Sequence, residues 1–76
     1  QGDTFSQYHL SRQYYLGNVV PEDKVYARMW ANLASSSGFE MAQQLRQLLT
    51  EKMTSYQIVR AQELARECFK KNYKGC

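Results

Sequence analysis

Three interruptions constrain this chain more than any other feature: Gly17 to Pro21, Ser35 to Gly38, and Met53-Thr54. They divide it into four segments, each of a length that suits a helix of a few turns. In each segment the apolar residues recur at steps of three and four, the period of a helix, and no stretch alternates in the manner of a strand. The expected fold is all-α, with four helices joined by connections short enough to make neighbours antiparallel, the first pairing with the second and the third with the fourth.

The first segment runs from Asp3 to Leu16. Asp3 or Thr4 can cap its start, and Thr4 with Gln7 has capping-box spacing. Its apolar residues form no single clean stripe. Gly17 stands where a left-handed residue ends a helix, and the residue before Pro21 is pushed toward extended geometry. The second segment, Glu22 to Ser37, places acidic residues at the positive end of the helix dipole. Ala27, Trp30, Ala31 and Ala34 form its stripe of small residues around one large aromatic, flanked by Met29 and Leu33, and Gly38 supplies a second stop. The third segment, Phe39 to Lys52, carries Ala42, Leu45 and Leu49 on one face. The fourth opens on the clearest local signal in the chain. Thr54 is the N-cap, Gln57 its reciprocal partner, and Met53 is placed to meet Ile58 as a hydrophobic staple. Ile58, Ala61, Leu64, Ala65 and Cys68 continue down one face.

Seventy-six residues make one small domain with a marginal core that an additional cross-link would help. The two cysteines, Cys68 and Cys76, both lie near the end. A continuous helix would hold them roughly 12 Å apart, too far to bridge. They can meet if the helix stops near Asn72 and the chain turns back. The alternative is a pair of free thiols in a cytoplasmic protein. A bridge is the preferred reading, and it favours an oxidising location, periplasmic or secreted. The chain opens on Gln1, without a signal segment, as expected of a processed chain or an excised domain. No apolar run has the length of a membrane span. The net charge of +3 is dispersed, and only Arg66 to Lys74 is locally basic. Cations there complement the negative end of a helix dipole, so no nucleic-acid partner is expected.

Catalysis lacks its residues. His9 is the single histidine, without a cysteine or histidine partner at metal spacing. Ser35-Ser36-Ser37 has neither a nucleophile-elbow context nor a base. No strand precedes a glycine-rich phosphate loop. No cofactor, metal or catalytic residue is assigned, and the chain is read as a non-enzyme.

Taken in order, Gly17, Val20, Pro21, Asp23, Ala27, Trp30, Leu33, Ala34, Gly38 and Ala42 resemble the Sel-one-like repeat, a longer relative of the tetratricopeptide repeat. Tyr8, Leu10 and Tyr14 resemble the first helix of that repeat. Met53-Thr54, Gln57-Ile58 and the following Ala61, Gln62, Leu64 and Ala65 look like the closing helix at the C-terminal end of bacterial members. Two positions depart from the pattern. Ser11 stands where the family has a small Gly between helices, implying slightly wider packing there, and Val19 stands where a second loop Gly is common. The resemblance implies an α-α superhelix, with residues 1–38 as a repeat helix pair and 39–76 as a capping pair. It also implies a scaffold or adaptor role toward a protein or peptide. A self-associating or purely structural terminal repeat, including a homodimer, is the alternative. A cysteine-rich branch of the family bridges cysteines at the spacing of Cys68 and Cys76, which the resemblance implies here too. Some members of that branch bind or hydrolyse β-lactams, but no motif in this chain carries that activity. The family pattern uses Tyr8, Tyr14 and Trp30 in the core. If the first helix pair presents a binding face, Tyr8, Arg12, Tyr15 and Tyr26 are its candidates, since tyrosine adds contact area with one polar tip.

Overall fold

A computed structural model describes residues 3–17 and 21–76. The loop at Asn18–Val20, including the Val19 departure, and the side chains of Pro21, Glu22 and Asp23 lie outside that description. The described chain is all-helical: α1 (Thr4–Leu16), α2 (Pro21–Ser35), α3 (Glu40–Glu51) and α4 (Ser55–Lys70).

Asp3, not Thr4, caps α1. Its carboxylate accepts from the Ser6 backbone N–H at 3.1 Å and from the Ser6 hydroxyl at 2.9 Å. These hydrogen bonds to Ser6 hold the Asp3 carboxyl below its ordinary pKa. Gly17 ends the helix as expected but for a different reason. Its φ is −90°, not left-handed, and a Cβ there would stand 3.2 Å from the Gln13 carbonyl oxygen. Gly38 does take the left-handed conformation, at φ +85°. Ahead of it, the Ser35 and Ser36 hydroxyls donate to the carbonyls of Asn32 and Leu33, which stops α2 at Ser35, short of the Ser37 expected. Pro21 is the first residue of α2, where a missing N–H costs nothing. The capping box at Thr54 and Gln57 is complete in both directions, and Met53 and Ile58 share one apolar cluster.

The second helix is the centre of the molecule. Val25, Ala27, Met29, Trp30, Ala31, Leu33 and Ala34 are all buried, so α2 is covered all round and not only along the Ala–Trp stripe. The helices α1, α3 and α4 each pack against it. The first pairing, α1 with α2, is the closest in the structure. Ser11 is fully buried there, and its hydroxyl donates to the Ala27 carbonyl, so the seam holds a polar side chain without leaving it unpaired. The expected second pairing, α3 with α4, is not formed as a helix hairpin, because each of the two packs on α2 instead. Close backbone approaches of α3 and α4 are made to α2 far more than to each other. They meet where Leu49, Met53 and Ala61 join one cluster. Ala42 is fully buried on α3. Trp30 anchors a second cluster with Met29, Leu33, Ala65 and Cys68, and its indole N–H has no acceptor among the described residues.

After Lys70 the chain turns back. Asn72 and Tyr73 are both left-handed, at φ 58° and 65°. The Tyr73 N–H donates to the Cys68 carbonyl at 2.8 Å, and the Asn72 N–H to the Phe69 carbonyl at 3.0 Å. This is the Schellman pattern, with Asn72 in the place glycine usually takes. It brings Cys76 to Cys68 at a Cα separation of 5.8 Å, and the two form a disulfide.

Candidate functional site

The four aromatic and basic candidates of the first helix pair do not gather at one place. Tyr8 is half-buried and meets the edge of Phe39, with ring centroids 5.2 Å apart. Tyr15 packs on the cluster that holds Leu49 and Ala61. Tyr26 stacks on Tyr14 at 5.8 Å, beside the second cluster. Arg12 alone is exposed. The three rings are partly spent on internal packing. His9 is exposed and stacks on Phe5. Among the described residues, no three His, Cys, Asp or Glu side chains come together as a metal would require. No helix among the described residues is long and apolar enough to cross a membrane.

A better-formed concavity lies between the C-terminal halves of α2 and α4, with a volume of about 360 Å³. Leu33 and Ala65, both buried, contribute its apolar lining. Phe69 contributes an aromatic wall that is 66% exposed, a large apolar surface left in water. Asn32 and Ser36 border the α2 side. On the α4 side, Arg66 and Lys70 border it at i and i+4, with Phe69 between them, and no acidic side chain lines the cleft. The arrangement is that of a peptide-sized apolar slot with a positive rim. It contains no nucleophile paired with a base.

No family model, curated protein or solved structure matches this chain. The Sel-one-like resemblance therefore rests on the residues that carry it.

The cleft was not foreseen from the sequence, although its α4 half was in plain view. Arg66, Phe69 and Lys70 follow helical spacing on the polar side of α4, which places an aromatic between two cations on an otherwise solvated face. The α2 half depends on which helix lies alongside α4, and local pattern does not carry that information.

Proposed function

We propose that this protein is a non-catalytic interaction module that holds a protein or peptide partner in the cleft between α2 and α4. The observation that carries the reading is Phe69, exposed beside the buried Leu33 and Ala65 and flanked by Arg66 and Lys70. The occupant that suits it is a short segment with one large apolar side chain and neighbouring acidic residues. The apolar group covers Phe69, and the carboxylates meet the two cations, adding orientation and association rate more than raw affinity. The Sel-one-like architecture belongs to this proposal as well. Buried Ala27, Trp30, Ala31 and Ala34 on α2 and the complete cap at Thr54 are consistent with it. The disulfide favours an oxidising location, periplasmic or secreted.

The test is selection from a random peptide library on the immobilised, oxidised protein, followed by titration of the selected peptides against variants. Enriched sequences are expected to combine an aromatic or large aliphatic residue with acidic neighbours. Phe69→Ala and the Arg66→Glu, Lys70→Glu double variant are each expected to weaken binding at least tenfold. All three side chains are outside the core, so these variants keep the fold. Selected peptides that bind the variants as well as the parent would refute the assignment. Self-association is the second reading, favoured by exposed Met41 and Leu48 on α3 and Tyr56 and Val59 on α4. Light scattering over a concentration series separates the two, because a stable dimer grows in mass where a monomeric binder does not.

A further inference from the structure

Two arginines lie at the seam of α2 and α3 with no carboxylate paired to either among the described residues. Arg28 is 7% exposed, and its Nε donates to the Thr50 hydroxyl at 2.9 Å. The Thr50 hydroxyl in turn donates to the Arg46 carbonyl at 2.7 Å. The Arg46 guanidinium reaches back to Asn32 Oδ1 at 3.1 Å. Arg28 and Asn32 stand at i and i+4 on α2, and Arg46 and Thr50 do so on α3, so the two helices are laced by a crossed pair of hydrogen bonds. One nitrogen of Arg28, NH1, is enclosed and has no acceptor. Among the described residues, neither guanidinium makes an ion pair.

Buried charges in proteins are normally paired, because desolvation of an ion is repaid only by a counterion and filled hydrogen-bond positions. Arginine cannot escape by losing its proton at ordinary pH. Burial and the neighbouring Arg46 charge both disfavour the Arg28 cation. The fold nevertheless holds both cations together, with donors to spare and Thr50 fixing the direction of one fork. Arginine forks match the geometry of oxyanions. Arg46 is half-buried, more open to solvent than Arg28.

We propose that Arg28 and Arg46 form a binding site for a small oxyanion of the phosphate or sulfate class, which supplies the missing counterion. This site is separate from the α2–α4 cleft and does not depend on the peptide reading. The experiment is thermal unfolding of the full oxidised chain in increasing inorganic phosphate, against sodium chloride at matched ionic strength. The midpoint is expected to rise saturably with phosphate beyond the chloride control, as binding to the folded state requires. Arg46→Gln, at a half-buried position, is expected to fold and to lose most of that extra rise. Arg60→Gln, an exposed cation on α4, is expected to keep it. A phosphate effect no larger than chloride overturns the proposal, as does an undiminished effect in Arg46→Gln or a loss equal in Arg60→Gln. Direct titration calorimetry of phosphate into Arg46→Gln provides a second readout if its unfolding is not reversible: retained heat of binding at the parent affinity also overturns it.

Discussion

Replacing Cys76 with Ser cuts the one covalent cross-link while leaving Cys68, which is 2% exposed, in place as a small apolar residue. For a sequence separation of 8, the chain-entropy relation gives about 2.5 kcal/mol at 25 °C. Part of that is returned. Tyr73 sits at φ 65°, a conformation that costs an L-residue roughly 1–2 kcal/mol, and a freed tail can relax it. Relaxation, however, also forfeits the packing of Tyr73 and Cys76 on the cluster around Trp30. The expected net loss is about 2 kcal/mol, or about 12 °C in Tm for a domain of this size. Trp30, the only tryptophan and 2% exposed, reports global unfolding by its fluorescence, so urea curves of the parent and Cys76→Ser can be compared directly. Intact mass with and without reductant verifies the bridge in the parent. A variant within about 0.5 kcal/mol of the parent would refute the reasoning, since the loop-closure term would then not be acting on the unfolded chain.

Three further outcomes follow from local geometry. Thr54→Ala removes the hydroxyl that accepts from the Gln57 N–H, while the bond from the Thr54 backbone N–H to Gln57 Oε1 stays available, and it is expected to lower stability by about 1 kcal/mol in urea unfolding. Gly38→Ala places a Cβ on a residue at φ +85° with open space around it, so a loss of about 1 kcal/mol is expected from backbone strain alone, with native circular dichroism retained. The Asp3 carboxyl has its pKa lowered by Ser6, so its stabilisation is present above the ordinary value of 3.8 and is lost as pH falls through the folded pKa. Asp3→Asn, which still caps, should flatten that acid limb in stability measured against pH.

The helix limits were legible because they are written locally. Thr54 with Gln57, and Gly38 after three serines, need no tertiary partner to act. The bridge was legible in outline, since Cys68 and Cys76 can meet only if the chain reverses. Asn72 was the expected stop, and asparagine tolerates the left-handed conformation there, but Tyr73 carries no such signal and is held left-handed with its N–H donating to the Cys68 carbonyl. The weakest segment was α1, whose fully buried side chains are Gln7 and Ser11. Its inward face is polar and small, so hydrophobic periodicity does not register it, and Ser11 finds its partner on another helix. Gly17 ends α1 as expected yet does so without a left-handed φ; its sequence position is the same in either case. What lay beyond the sequence was the choice of neighbour: that α2 would be surrounded, that α4 would lie beside it with Phe69 outward, and that Arg28 would face Arg46.

That last pairing separates two kinds of perturbation at one site, and they should move stability in opposite directions. Thr50→Val removes the acceptor of Arg28 Nε and adds no compensation, so a second guanidinium nitrogen joins NH1 without an acceptor. Stranding a buried donor of a charged group costs on the order of 1–3 kcal/mol. Arg28→Met instead removes the cation and leaves an unbranched apolar side chain in roughly the same space. Exchanging a buried charge for a packed apolar group is often neutral or stabilising by roughly 1 kcal/mol or more, because the desolvation penalty disappears with the charge. In phosphate-free buffer, Arg28→Met is therefore expected to be at least as stable as the parent, and Thr50→Val less stable, both read from Trp30 fluorescence in urea. A loss above about 2 kcal/mol in Arg28→Met would mean that the arginine stem contributes by packing and hydrogen bonding more than its charge costs. The parent's retention of an arginine here would then follow from structure alone. If the order holds, the arginine is costly to an anion-free fold, as the proposed oxyanion site requires.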